Sequence, residues 1–314
     1  TTQFKAQGSE FKVRRSFLST VRKWGAFVRF SHTLFALPFA LAAMAVAARD
    51  NRGWPGWRKF GLILAAMVCA RTCAMAFNRI ADRKLDALNP RTAGRHLPTG
   101  QVSLFSAVTL WVLSGAGLVI ASYFLNSLCF YLSPVALVVI CFYSLTKRFT
   151  DYTHLFLGLA LALAPVGAWL AVKGPHLSAL DILQMLVLAA TVVLWLVGFD
   201  IIYALQDYEF DRAHRLHSLV VAWGPKNAMH AAFLAHLVMC GLLFAFGLLC
   251  RFGIAYIIGW FIIVLCLVME HWIAHRRSLN WINVAFFRLN AVVSTVFLVV
   301  TLAEVVFQGG FRLR

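Results

Sequence analysis

Nine stretches of predominantly apolar residues follow one another along the chain, near 26–48, 60–80, 103–123, 128–146, 154–172, 182–205, 228–249, 253–270 and 284–306. A helix rises about 1.5 Å per residue, so about 20 apolar residues cross the hydrocarbon core of a bilayer. The split at 249–253 rests on Arg251 and Gly253. Hydrophobic residues make up 61% of the 314, and charged ones only 13%. A soluble domain usually has about 25% charged residues. Disorder, a disulfide scaffold and an ordinary soluble enzyme are excluded. The expected fold is all-α, a polytopic membrane bundle of nine transmembrane helices.

The charge balance orients the bundle. Lys and Arg total 29 against 12 Asp and Glu, a net charge of +17. Nucleic acid is not the expected partner, because the basic residues lie between apolar runs. With the amino terminus cytoplasmic, nineteen basic residues fall on that side and eight on the other, leaving Arg29 and Arg71 inside apolar helices. The cytoplasmic side therefore holds the amino terminus. Residues 1–25 are polar and basic without an apolar core, and are expected to form a cytoplasmic arm against anionic headgroups rather than a signal peptide. Residues 26–314 form the membrane domain. The seven cysteines sit in apolar stretches without pairing or metal spacing and are read as small packing residues.

The scarce acids carry the functional signal. Six of the twelve (Asp82, Asp86, Asp200, Asp207, Glu209 and Asp211) fall in two short windows, both on the cytoplasmic side. The second span ends with Asn78, Asp82 and Asp86 at i, i+4 and i+8, which a helix places on one stripe. The sixth ends with Asp200, Tyr203, Asp207 and Asp211, a second stripe of the same kind. The windows close spans four helices apart, suggesting two pseudo-repeated halves whose stripes face each other. Facing carboxylates would repel without a cation between them. All-oxygen ligands suit Mg²⁺, which keeps waters and is completed by substrate phosphates. Arg91 and Arg95, just after the first window, with Lys147 and Arg148, would hold a diphosphate through charge-assisted hydrogen bonds.

These residues carry a resemblance. The NxxxDxxxD at 78–86 and the DxxYxxxDxxxD at 200–211 resemble the two Asp-rich motifs of the UbiA superfamily of membrane prenyltransferases. The segment from Arg91 through Arg95 and Pro98 to Gly100 resembles that family's RTxxRxLPxG, and Tyr143 to Arg148 its YxxxKR. The likeness runs from about Arg29 to the last helix. It implies a bundle around a central cavity open toward the membrane for a prenyl tail. It also implies Mg²⁺-dependent transfer of a polyprenyl group from its diphosphate to an acceptor, commonly an aromatic acid of quinone biosynthesis.

In that frame Asn78, Asp82 and Asp86 would hold one Mg²⁺ and Asp207 with Asp211 the other. Asp200 lies deeper, as a ligand or an orienting group. Arg71, two turns before Asn78, is assigned to the diphosphate end. Phe77, Tyr143, Phe199 and Tyr203 are candidates to shield an allylic cation. The base that takes the ring proton is left open among Asp200, a second carboxylate and released diphosphate. Arg29 and His32 are candidate acceptor-binding residues, Arg29 as partner of an acceptor carboxylate. Relatives using 4-hydroxybenzoate commonly read RLDKP here, where this chain reads RFSHT from Arg29. The wording at Asn78-Arg79, at Asn89 to Ala93 and at Ala285 to Phe287 resembles the menaquinone futalosine branch, which prenylates a naphthoate-type acceptor. The expected location is a bacterial cytoplasmic membrane, with the mouth of the site on the cytoplasmic side.

Other readings compete. Intramembrane carboxylates also mark ion paths, which makes a cation-coupled transporter the alternative. Within the superfamily, a porphyrin-type acceptor would need a wider pocket. His271 and His275 stand at i, i+4 without a second matching pair and are read as interfacial. No phosphate-cradling glycine loop and no hydrolase triad order occurs.

Overall fold

The apolar runs become helices that bury their small residues and turn their large ones outward. The computed structural model describes residues 22–29, 33–276 and 279–307. Helix α1 is Thr33–Ala47, α2 Trp57–Leu88, α3 Leu104–Leu125, α4 Ser127–Phe142 and α5 Thr153–Lys173. Next come α6 Ala179–Ala204, the short α7 Tyr208–Ala213, α8 Leu219–Leu249, α9 Ile254–Arg276 and α10 Leu279–Val306. Eight helical segments are long and apolar enough to cross a membrane, and the apolar stretch Phe35–Ala47 of α1 is shorter. Phe105, Tyr131, Val138 and Leu248 are more than half exposed on the outer faces, as lipid contact allows. The chain is an integral membrane protein, all-helical among the described residues.

The core lies around α1, whose Phe39, Ala40, Ala42, Ala43 and Ala45 are sealed against α5 and α10. Phe39 packs on Trp195 of α6 and Phe297 of α10, with ring centroids 5.0 and 4.8 Å apart. Lipid tails are as apolar as leucine, so helices in a bilayer associate through close packing of small residues. Gly158 of α5 shows this: a methyl group there would stand 2.8 Å from the Val193 carbonyl of α6.

Several boundaries depart from the sequence expectation. The run 26–48 is not one helix. A helical turn at 22–27 ends at Arg29, whose φ of 47° is left-handed, and α1 starts only at Thr33. The basic arm of residues 1–25 lies outside the described residues except for 22–25. Helix α8 begins at Leu219, earlier than the expected 228, because the chain kinks at Gly224 (φ 76°, ψ 157°) before Pro225 and continues. The break expected at 249–253 is present. Arg251 is left-handed there, and Glu304 of α10 accepts hydrogen bonds from the Gly253 and Tyr256 amides, capping α9.

Helix α2 decides where the polar chemistry stands. Its 32 residues reach about 48 Å at 1.5 Å each, longer than a hydrocarbon core of about 30 Å, and its acidic residues, Asp82 and Asp86, stand in the last turns. Asn78, Asp82 and Asp86 share one face of that single helix. The second window is different. Helix α6 ends at Ala204, a 3-10 turn covers Leu205–Asp207, and α7 resumes with Asp211. The second stripe is therefore broken between Tyr203 and Asp207, although Asp207 and Asp211 are both buried.

Gly158→Leu is expected to lower the melting temperature in detergent, with a loss of about 1–3 kcal/mol from overpacking. Gly241→Ala, where nothing lies within 4 Å of an added methyl group, is expected to leave it unchanged or higher.

Candidate active site

Both acidic windows open onto one cavity of about 280 Å³. Asn78, Asp82 and Asp86 line it from α2, and Asn89, Arg91, Thr92 and Arg95 from the loop that follows. The 3-10 turn Tyr143–Arg148 contributes Tyr143, Ser144, Lys147 and Arg148. Asp200, Tyr203, Asp207 and Asp211 line the opposite side. This turn lies between the windows because Thr146 Oγ1 and Thr153 Oγ1 are 2.6 Å apart, joining it to the start of α5.

The carboxylates do not wait for an outside cation to relieve their repulsion, contrary to the sequence expectation. Each of four is paired with one of the four cations expected to hold diphosphate. Arg91 donates to Asp207 through Nε at 2.8 Å and Nη2 at 2.5 Å. Arg95 reaches Asp86 at 2.6 Å, Lys147 reaches Asp211 at 3.1 Å, and Arg148 reaches Asp82 at 3.0 Å. The pairs tie the windows together: Arg91 follows the first and grips the second, while adjacent Lys147 and Arg148 grip one each. Burial works against the charge on Arg91, but the Asp207 bonds and the Tyr203 contact outweigh it and raise its pKa. Its Nη1 donates to the Tyr203 hydroxyl at 2.9 Å, and the guanidinium lies 5.3 Å from that ring's centroid.

Two orienting amides complete this end. Asn78 Nδ2 donates to Asp82 Oδ2 at 3.0 Å, and Asn89 Nδ2 donates to Asp207 Oδ1 at 3.1 Å. Asp86 Oδ2 is buried and receives no hydrogen bond. A carboxylate oxygen left bare in the interior is costly, and a hard divalent cation is a natural partner for it. Among the described residues no three His, Cys, Asp or Glu side chains close around a single point.

Beyond the paired charges the cavity turns cationic and aromatic. Arg29, Arg71 and Arg79 line it without a carboxylate partner among the described residues. The left-handed backbone at Arg29 marks strain at a lining position. Arg71 and Tyr143 stand where this cavity adjoins a second one of about 250 Å³. That second space is walled by small residues such as Ala36, Ala66, Ala70, Ala74 and Ala164, and it reaches exposed Leu132 and Val135 on the outer surface. Opposite, Phe199 meets Phe35 at 5.6 Å, and Phe287 lies 5.8 Å from Phe35 and 5.9 Å from Tyr203.

Most of the residues singled out in the sequence line this cavity. Phe77 does not: it packs on Trp111 of α3 at 5.3 Å, turned aside on α2. His32 lies outside the described residues. Glu209 is exposed. His271 is not simply interfacial: its Nε2 lies 2.9 Å from Nδ1 of the buried His236. Sequence reasoning missed Asn89, Arg79, Phe35 and Phe287 as lining residues, and His154, which bonds Asp200 at 2.6 Å. His154 is a polar residue at the start of an apolar run, which was the available signal, whereas Asn89 sits in a polar loop and carried none. The two phenylalanines carried none in a chain with 27.

The fold is a membrane-spanning helical bundle whose polar cavity gathers four acid–base pairs at one end. Residues 36–292 match the UbiA prenyltransferase family, and the chain belongs to it. It is 30% identical over 235 residues to the 4-hydroxybenzoate octaprenyltransferase of Shewanella woodyi, covering 72% of this chain and 78% of that one. Its likeness to the enzyme of that name from Vibrio parahaemolyticus is 28%, over 75% of this chain and 80% of the other. The apo structure of a UbiA homolog from Aeropyrum pernix K1 superposes with a TM-score of 0.76 at 32% identity, covering 85% of this chain and 95% of that one. A UbiA homolog from Archaeoglobus fulgidus, bound to DMAPP and Mg²⁺, shares the fold with a TM-score of 0.67 at 19% identity, over 90% of this chain and 99% of the other. The protein is a prenyltransferase, which sets the transporter reading aside.

Asp86→Ala and Asp207→Ala are each expected to weaken Mn²⁺ binding at least tenfold, read by electron paramagnetic resonance, with the protein still folded by circular dichroism. Unchanged affinity in both would remove these residues from the metal site.

Proposed function

We propose that the protein transfers a polyprenyl group from polyprenyl diphosphate to a ring carbon of an aromatic acid, with Mg²⁺ as cofactor, in quinone biosynthesis. The four cross-paired Asp–cation couples beside a small-residue apolar cavity carry this reading. The relatives named for 4-hydroxybenzoate and the Mg²⁺-bound protein of the same fold support it.

The couples are a stored binding site. When the diphosphate enters, Arg91, Arg95, Lys147 and Arg148 exchange carboxylate oxygens for phosphate oxygens, keeping their charge satisfied throughout. Asp82, Asp86, Asp207 and Asp211 are then free to hold Mg²⁺, with Asn78 beside them. Mg²⁺ when bound neutralises the charge that develops as the diphosphate departs. The tail lies in the adjoining apolar space, whose outer end reaches the bilayer face. Tyr143, Tyr203, Phe199, Phe35 and Phe287 offer ring faces to the allylic cation and exclude water from it. Arg29 holds the carboxylate of the acceptor, while Arg71 and Arg79, which like Arg29 have no carboxylate partner among the described residues, add positive charge to the diphosphate end. The acceptor is a 4-hydroxybenzoate-like or naphthoate-type acid.

Membranes carrying the protein are expected to prenylate members of a panel of 4-hydroxybenzoate, 1,4-dihydroxy-2-naphthoate and amino-futalosine relatives, read by mass spectrometry of lipid extracts, and only with Mg²⁺. Asp82→Ala and Asp207→Ala are expected to lower kcat by about 10²–10³, the scale for losing a preorganised charge-stabilising group. Retained transfer by either variant contradicts the two-window mechanism.

A further inference from the structure

We propose that Asp200 is the group that takes the ring proton after prenyl transfer, and that His154 is the positioning residue that aims it. This rests on the aromatic prenyltransferase reading above.

Five aspartates line the cavity, and four are committed to Arg or Lys partners. Asp200 alone among them has no such partner in the described residues. Its Oδ2 lies 2.6 Å from His154 Nδ1. His154 is fully buried in the first turn of α5, and its Nε2 is sealed from solvent with no hydrogen-bond partner. A bare ring nitrogen is tolerable as a lone pair, whereas an unpaired buried N–H of a charged ring is costly. The arrangement therefore matches a neutral imidazole with its proton on Nδ1, donating to Asp200. One carboxylate oxygen is fixed by that bond, and the side chain retains 21% exposure.

Position assigns the role. Asp200 precedes Asp207 by seven residues and stands within α6, whereas Asp207 belongs to the 3-10 turn that follows it. It lies next to Phe199 and one turn from Tyr203, the aromatic wall where the reacting carbons would meet. The C–O bond of the prenyl diphosphate breaks and its electron pair leaves with the diphosphate. A ring π pair forms the new C–C bond. The ring carbon then releases its proton to the free oxygen of Asp200, and the C–H pair restores aromaticity. The charged group that interacts with Asp200 is Lys147 of the 3-10 turn, which also interacts with Asp211 and Asp207. Thr146 bonded to Thr153 puts His154 on the same support as Lys147 and Arg148, so the proton acceptor and the diphosphate cations share one frame.

The test is transfer from geranyl diphosphate to ring-deuterated 4-hydroxybenzoate and 1,4-dihydroxy-2-naphthoate by the full-length protein in detergent. Wild type is expected to show no primary isotope effect, with C–O cleavage limiting. Asp200→Asn, which keeps size and shape, is expected to lose about 10²–10⁴ in kcat, the span for a general base. It should also show a normal isotope effect. His154→Leu is expected to lose about 10–100-fold, the scale for an orienting partner, with the same isotope effect and an unchanged KM for geranyl diphosphate. His154→Asn, which retains a donor, should restore most of the rate. If His154→Leu does not fold, Asp200→Asn alone decides. A wild-type isotope effect or rate in Asp200→Asn overturns the proposal, as does a His154→Leu defect confined to KM. If wild type prenylates neither acid, the aromatic-acceptor reading fails and the dyad with it. Transfer by wild type without the expected change in the variants removes the dyad alone.

Discussion

Charge in an apolar medium has to be paired, and that requirement organises this protein. Four buried or half-buried carboxylates reach four cations over 2.5–3.1 Å at one end of the bundle. A charge left alone there would be strongly destabilising, so each pair constrains the elements that carry it. Arg91 joins the loop after α2 to the end of α6. Lys147 and Arg148 join one turn to both acidic windows. The bundle is closed at this end by these four pairs.

The same pairs explain how a site for a highly charged substrate can sit in a membrane protein without it. In the proposed reaction, the acids and bases that neutralise one another here would be shared with Mg²⁺ and the diphosphate. Carboxylates are the ligands Mg²⁺ prefers, and guanidinium groups match phosphate oxygens. Asp86 Oδ2, buried and bare, is the point where this internal neutralisation is incomplete. Elsewhere in the cavity the pairing stops. Arg29, Arg71 and Arg79 line it without a carboxylate partner among the described residues, and Asp200 is held by a histidine in place of a cation.

Much of this was legible in the sequence. Nine apolar runs fixed the fold class, and helical spacing put Asn78, Asp82 and Asp86 on one face of a single continuous helix. The motif resemblance named the family to which the chain belongs. The second stripe was legible in composition but not in geometry, because a 3-10 turn at Leu205–Asp207 leaves no mark in residue spacing. The partner of each carboxylate was not legible. Periodicity reports neighbours along one helix, whereas Arg91 and Asp207 are separated by 116 positions. His154 was hidden for the same reason, lying 46 positions from Asp200. Phe77 shows the converse failure. It is adjacent in sequence to Asn78, yet one residue is a turn of about 100° on a helix, which sends it toward α3.

The central claim is that acids and cations of one site are exchanged together between each other and a metal–diphosphate. Calorimetric titration of the detergent-solubilised protein with inorganic pyrophosphate, with and without Mg²⁺, tests it most directly. The account predicts that pyrophosphate alone binds weakly, because its cations are already held by Asp82, Asp86, Asp207 and Asp211, and that Mg²⁺ increases its affinity by at least tenfold. Equal affinity with and without Mg²⁺ would contradict it.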